Sequence, residues 1–184
     1  INHYIKRYKK SLALTHFDVE LRFDDSTDKT LPNSRGRSTD TRFYSEFSGF
    51  WQPDEYLIAN LGGGYDNEEG FLPFGSFISV GGQYLQLDLG YREHWLSPLQ
   101  DSAMLLSTQA KPVLGVTISN VKPITDWHIN YELSFGKLEE VEGIRYQVTP
   151  SESSLSKGRP GFLTMHLSVQ PTDWWTLGVN RTMQ

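Results

Sequence analysis

Five residues in one short stretch have the side-chain types that sugar recognition requires. Arg92, Glu93, His94, Trp95 and Gln100 combine one aromatic ring with charged and amide groups. A ring can stack on the apolar face of a sugar while polar groups beside it orient the hydroxyls. The stretch therefore predicts a glycan-binding loop. A second interpretation of Trp95 remains open, in which its ring anchors a strand end at a membrane interface.

The sequence singles out no catalytic group. Glycoside hydrolysis needs two carboxylates at about 5–9.5 Å separation. The chain has 22 acidic residues, and no pair stands out among the candidates Glu93, Asp101, Glu132, Glu139 and Glu140. No serine lies in a Gly-x-Ser-x-Gly elbow, and the absence of cysteine excludes thiolate catalysis. We predict a binding protein rather than an enzyme.

No metal site and no cofactor is predicted. The five histidines lack the close spacing of metal ligands. His128 and His166 fall in the polar sets of two predicted strands and could approach each other, although ordinary solvated or hydrogen-bonded histidines are the preferred interpretation. The acidic run 66–69 could hold calcium but is interpreted as a solvated loop. A net charge of -5 with scattered basic residues argues against a nucleic-acid partner.

Four stretches that alternate apolar and polar residues predict the elements that carry these groups: 17–24, 85–92, 127–135 and 163–170. A period of two places all apolar side chains on one face of a strand and all polar ones on the other. Together with weaker segments they predict strands at 11–24, 40–51, 55–63, 76–81, 84–93, 104–108, 113–120, 126–136, 145–150, 161–170 and 174–183. Residues 1–10 predict a short helix because Tyr4, Ile5 and Tyr8 recur at helical spacing.

The predicted connections fall into two length classes. Tight turns are expected at 51–54, 81–83, 109–112 and 171–173, and long loops at 25–39, 64–75, 94–103 and 151–160, with 62–64 as a strand end entering its loop. Consecutive connections of an antiparallel meander alternate between the two ends, which places the tight turns at one end and the long loops at the other. Outer-membrane barrels have this arrangement. The odd number of predicted strands favours one segment of a larger barrel, because single-chain bacterial barrels have even numbers.

Two architectures are compatible with the alternation: a membrane barrel, or a soluble sheet with one wet face. No apolar run is long enough for a transmembrane helix. Aromatic residues near strand ends favour the barrel, since they suit interfacial girdles: Tyr44, Trp51, Tyr56, Tyr84, Trp95, Trp127, Trp174 and Trp175. The alternative is a soluble β-sandwich acting as a carbohydrate-binding module or a carbohydrate-active enzyme. A porin-like channel without a glycan role would share the barrel fold.

One set of apolar residues separates the two architectures: Phe17, Val19, Leu21, Leu85, Leu87, Leu89, Ile129, Tyr131, Leu163 and Leu167. A barrel exposes these side chains on its outer surface. A sandwich interdigitates them between two sheets that lie about 10 Å apart.

The segment 90–112 resembles a known family. A strand ending in Gly90-Tyr91-Arg92 runs into a loop with Trp95 and Pro98, and a second motif follows with Leu105, Leu106, Ser107, Ala110 and Pro112. These residues match the Wzi-type capsule assembly family of outer-membrane proteins. Leu96 and Ser97 replace the second Trp and the Gly of the family loop. The layout of the whole chain is similar to this family, whereas the residue-level match covers only about 90–112.

The resemblance implies an 18-stranded outer-membrane barrel with small periplasmic helices, of which residues 1–184 would form one segment. Proteins of this type are lectin-like, hold capsular or other extracellular polysaccharide at the surface of Gram-negative cells, and are not known as enzymes. We therefore expect an all-β, antiparallel, up-and-down transmembrane barrel in the cell outer membrane. Its expected partners are polysaccharide and membrane lipid, and it is expected to be a monomer.

Overall fold

The computed structural model describes residues 14–23, 43–66, 70–94, 96–97, 105–106, 111–149 and 152–184. These residues form twelve strands and no helix. The strands are β1 (Leu14–Phe23), β2 (Phe43–Trp51), β3 (Leu57–Asp66), β4 (Gly70–Leu72), β5 (Ser76–Gly81), β6 (Gln86–Tyr91), β7 (Leu114–Ser119), β8 (Asn130–Lys137), β9 (Val141–Thr149), β10 (Glu152–Gly158), β11 (Gly161–Thr172) and β12 (Trp175–Met183).

The strands build one large antiparallel sheet. Its order is β1-β2-β3-β5-β6-β7-β8-β11-β12, with the short β4 paired to β3, and it contains ten strands in all. β9 and β10 form a separate two-stranded hairpin within the connection from β8 to β11. Every pairing is antiparallel. The all-β antiparallel prediction is confirmed, and the sheet is consistent with part of a barrel.

Alternating residues place the apolar side chains on one face of this sheet, which we call the apolar face. The register aligns them across strands, as in the row Leu87, Ile118, Leu133 and Met165. Most of these side chains are exposed, and seven of the ten residues chosen above to separate the architectures belong to the exposed group: Phe17, Val19, Leu21, Leu85, Leu87, Leu89 and Leu167. The second sheet, β9–β10, makes no strand-to-strand contact with the large sheet. In the described residues these side chains therefore do not interdigitate between two sheets as a sandwich requires.

The opposite face, which we call the polar face, is buried on β5, β6, β7, β8 and β11 and exposed on β1, where Glu20 is 45% exposed. Its fully or nearly fully buried side chains are polar: Ser79, Asp88, Thr117, Ser119, Ser134, Thr164 and Ser168. The buried apolar side chains of the described residues are Tyr44, Leu72, Phe74 and Leu96, and three of these four come from connecting segments or β4 rather than from the long strands. Soluble proteins bury apolar groups and expose polar ones, so this distribution is inverted.

The connections alternate in length between the two ends of the sheet. One end has the connections 52–56, 82–85, 120–129 and 173–174, and the other has 24–42, 67–75, 92–113 and 138–160. Each connection of the first end is shorter than its neighbours in sequence, although 120–129 has ten residues against the nine of 67–75. The predicted segregation is confirmed for all tight turns except 109–112. That turn belongs to the connection 92–113, because β6 pairs directly with β7. Residues 105 and 106 form a bend rather than the predicted strand.

Other sequence predictions need correction or lie outside the described residues. β4 and β10 occupy segments predicted as loops. His128 lies in a turn with a positive φ of 49° and is exposed, so it does not face His166 from a strand. The predicted helix at 1–10 falls outside the described residues. None of the segments described is a helix long and apolar enough to cross a membrane.

Exposed aromatic side chains collect at the end with short connections: Trp51, Tyr56, Tyr84, Trp127, Trp174 and Trp175. The rings of Trp174 and Trp175 stack with centroids 6.4 Å apart, and Lys122 Nζ lies 5.9 Å from the centre of the Tyr84 ring. Tyr44 was predicted as part of this group, but it is buried on the polar face, where its hydroxyl donates to Glu46. Trp95 lies outside the described residues. The remaining six form a belt of amphipathic rings.

Three consecutive glycines inside β3 allow a connecting segment to pack on the sheet. They do not mark a strand end, as the sequence had suggested. A Cβ on Gly62 would lie 2.6 Å from the carbonyl oxygen of Phe74, and one on Gly64 would lie 2.7 Å from the Phe74 ring. Ser76 reinforces this packing, since its Oγ accepts from the Gly62 N–H at 3.0 Å. Glycine in a strand often marks such a close approach.

Gly62→Ala is therefore expected to lower the free energy of unfolding by about 1–3 kcal/mol, because the added methyl collides with backbone. Gly82→Ala is the matched control, since nothing lies within 4 Å of a Cβ there. The control is expected to change stability by less than about 0.5 kcal/mol. Urea unfolding of both variants measures the difference. Equal stability of the two would show that the segment around Phe74 moves aside without cost.

Candidate functional site

The candidate site begins where β6 ends at the edge with long connections. Asp88, Gly90 and Arg92 follow each other at every second position, so their side-chain directions fall on the polar face. Arg92 Nη1 donates to Asp88 Oδ2 in an ion pair. The same nitrogen donates to Ser119 Oγ of β7 at 3.2 Å, and Nη2 donates to Glu132 Oε2 of β8 at 3.2 Å. The guanidinium thus joins three neighbouring strands.

Asp88 is the deepest charge in this network, with 1% of its surface exposed. Besides Arg92, it accepts hydrogen bonds from Ser79 Oγ and, at 2.6 Å, from Gln86 Nε2. A buried carboxylate is tolerated when it is both paired and hydrogen-bonded. Both conditions hold here, so Asp88 fixes the position of Arg92.

Glu132 extends the network from Arg92 to His94. Its Oε1 lies 2.6 Å from His94 Nδ1, while its Oε2 accepts from Arg92. The side chains of His94 and Glu132 are largely buried, at 12% and 15% exposure. One carboxylate on β8 therefore holds two residues of the connection between β6 and β7.

The connection between β6 and β7 is also fixed at Leu96. The carbonyl of Leu96 accepts from Asn180 Nδ2 of β12 at 2.8 Å, and Asn180 Oδ1 is hydrogen-bonded to His166 Nδ1 of β11. Leu96 is fully buried and Ser97 nearly so. Contacts to β6, β7, β8 and β12 thus lay residues 92–97 against the polar face of the sheet, as far as these residues are described.

A cavity of about 300 Å³ lies beside this segment. Arg92, Glu93, His94 and Lys111 supply charged or titratable groups to its wall. Thr117 and Ser134 add hydroxyls, and Phe162 adds an aromatic ring. This combination of aromatic surface with several hydrogen-bonding groups is typical of a site that orients a polar ligand.

Three of the five predicted glycan-binding residues come together here. Arg92, Glu93 and His94 line the cavity, whereas Trp95 and Gln100 lie outside the described residues. The sequence analysis did not assign Asp88, Glu132 or Lys111 to the site. Asp88 had no signal beyond its polar position in a predicted strand, and Glu132 was noted only as one of several carboxylates. The contact of Glu132 with Arg92 depends on strand pairing between residues that lie 40 positions apart.

The carboxylates of the network are engaged in ways that suit support rather than catalysis. Both oxygens of Glu132 and both oxygens of Asp88 have cationic or hydrogen-bonding partners. The described residues contain no group of three or more His, Asp or Glu side chains that could hold a metal ion. The arrangement is able to position the loop and to present hydrogen-bonding groups to a ligand in the cavity.

Comparison with known proteins identifies a family. A family model described as "Capsule assembly protein Wzi" matches residues 13–184. No curated protein and no solved structure gives a significant match. The matched region contains every strand pairing and every contact of the site described above.

Proposed function

Since the chain belongs to the capsule assembly protein Wzi family, we propose that it is an outer-membrane β-barrel segment that helps hold or assemble capsular or extracellular polysaccharide at the cell surface. Binding would be non-covalent, with the connection between β6 and β7 contacting the glycan. This is not a known family of enzymes, and we propose no catalytic step. Residues 11–184 would act as one segment of a larger monomeric barrel, without a nucleic-acid partner.

The inverted distribution of polarity supports the location in a membrane. Transmembrane barrels alternate apolar-out and polar-in along each strand, with aromatic girdles at the interfaces. The exposed apolar face and the belt of Trp and Tyr at the short-connection end fit these requirements. Short turns face the periplasm in such barrels. The long connections, and with them the cavity, would then be extracellular.

The observation that carries the glycan proposal is the fixed position of Arg92 and His94 on the cavity wall. Both are held by Glu132, and Arg92 also by Asp88. A ligand then meets groups that need no further ordering, which reduces the entropy cost of binding. Glu93 contributes from the same wall with an exposed side chain. Trp95 and Gln100 complete the proposed set from their neighbouring positions in sequence.

His94→Ala is expected to weaken binding of the purified capsular polysaccharide by about tenfold, since it removes a pre-positioned contact. The test uses the full-length protein in a deletion strain, with cell-associated polysaccharide and direct titration as readouts. His128→Ala is the matched control, because His128 is exposed in a turn at the opposite end of the sheet. Unchanged retention and affinity for His94→Ala, at equal amounts of folded protein, would contradict the proposed site.

Trp95→Ala separates the two roles considered for this ring. A stacking role predicts lower glycan affinity with a normal amount of protein in the outer membrane. An anchoring role predicts less folded protein in the membrane with unchanged affinity per folded molecule.

A further inference from the structure

The apolar face carries two charged residues in the described strands, and both are cations. They are Lys137, the last residue of β8, and Arg181 of β12. All other charged strand residues with described side chains lie on the polar face, as the register shows for Asp18, Glu20, Arg22, Glu46, Asp88 and Glu132. On a lipid-facing surface, charges almost always pair with groups of opposite sign.

Lys137 and Arg181 flank the same strand, β11. Lys137 pairs with Gly161 and Arg181 pairs with Met165. From strand geometry their Cα atoms are about 10 Å apart across the sheet and about 13 Å apart along it. The surface between them is apolar and is formed by Phe135, Leu163 and Met183, which the register places in one row.

Both cations are exposed, and neither has a hydrogen-bond or ion-pair partner in the part of the chain that the structure describes. No carboxylate shares the apolar face with them on the described strands. Their charge is thus not neutralised by the sheet itself. A lipid-facing Lys or Arg costs about 2–4 kcal/mol at the bilayer midplane and about 0–1 kcal/mol near an interface.

Their position along the strands indicates which interface they approach. β8 runs toward the connection 138–160, and β12 runs away from the short turn 173–174. Lys137 therefore lies at the end with long connections. Arg181 lies just beyond the middle of β11 on the same side, opposite Met165, and its long side chain can extend toward that end, away from the aromatic belt. In the orientation proposed above, this end lies in the outer leaflet.

We propose that Lys137 and Arg181 form a binding site for the phosphate groups of an anionic lipid in the outer leaflet. The lipid's acyl chains would lie along Phe135, Leu163 and Met165. Phosphate oxygens accept strong charge-assisted hydrogen bonds from guanidinium and ammonium groups, and long basic side chains extend toward the headgroups. Two cations allow one contact to each of two phosphates. This inference rests on the proposed membrane location and is independent of the glycan site.

The test measures lipid binding to the full-length protein in detergent by native mass spectrometry. The probes are diphosphorylated lipid A and the same lipid after removal of its phosphates. The double variant Lys137→Gln/Arg181→Gln is expected to bind the diphosphorylated lipid about tenfold more weakly, because two charge contacts are lost. Its binding of the dephosphorylated lipid is expected to match the unaltered protein. Excess inorganic phosphate is expected not to compete, which would identify the lipid as the ligand.

Lys122→Gln is the control, since it removes an exposed cation at the opposite end of the sheet. Equal affinity of the double variant and the unaltered protein for the diphosphorylated lipid would overturn the lipid site, as would an equal loss in Lys122→Gln. Polysaccharide titration of the same samples keeps the two proposals apart, because it reports on the glycan site alone. Absence of the heat-dependent shift in gel mobility typical of folded barrels would instead overturn the membrane location on which the site rests.

Discussion

Replacing Arg92 with methionine is expected to lower the free energy of unfolding by about 3 kcal/mol or more, because it leaves a buried carboxylate without its cation. Asp88 is 1% exposed and accepts from Arg92, and Glu132 loses the same partner. Methionine keeps most of the side-chain length, so the loss reports charge rather than volume. Urea titration of the full-length protein in lipid vesicles, followed by gel mobility, measures the change.

Arg22→Met is the matched control for this prediction. Arg22 also pairs with a carboxylate on the polar face, but its partner Glu20 is 45% exposed. Exposed ion pairs contribute only about 0–1 kcal/mol. A loss in Arg22→Met as large as in Arg92→Met would show that burial of Asp88 is not the cause.

The second variant Asp88→Asn shows whether the penalty lies in the unpaired charge. The double variant Arg92→Met/Asp88→Asn has no buried anion at this position. The amide oxygen of the new asparagine can still accept hydrogen bonds from Ser79 and Gln86. Part of the stability lost in Arg92→Met is expected to return, with a coupling energy of about 0.5–3 kcal/mol between the two sites. Strict additivity would contradict the proposed pairing.

The face to which each residue belongs could be predicted from sequence, because a period of two fixes it without knowledge of strand partners. The alternation predicted that Leu87 and Leu89 lie on one face of the sheet and Gln86 and Asp88 on the other, and the structure confirms this. The alternation does not determine which strands pair with each other. The segment 104–108 has the composition of a strand, but its described residues 105 and 106 form a bend, and β6 pairs directly with β7.

The candidate site was predictable only in its local part. Arg92, Glu93 and His94 are adjacent in sequence, and their mixture of types was sufficient to suggest a ligand site. Glu132 lies 38 residues from His94 and 40 from Arg92, and its sequence context resembles that of other polar strand residues. The role of the β3 glycines could not be predicted for the same reason. Phe74, which packs against them, lies in a connection whose path the sequence does not specify.

Leu167→Arg tests the membrane location most directly. Leu167 lies near the middle of β11 on the apolar face and is 53% exposed. On a soluble sheet, arginine at an exposed position would change stability by less than about 0.5 kcal/mol. In a bilayer the same charge at mid-depth is expected to cost about 2–4 kcal/mol. The measurement is urea unfolding of the protein folded into lipid vesicles.

Leu85→Arg provides the control, since it has the same starting residue and a similar exposure of 61%. Leu85 lies in the connection 82–85 beside the aromatic belt, where a cation is expected to cost about 0–1 kcal/mol because it reaches water. The difference between the two variants therefore reports depth rather than the loss of leucine. Equal and small effects at both positions would show that the apolar face lies in water. That result would contradict the proposed location of the barrel in the outer membrane.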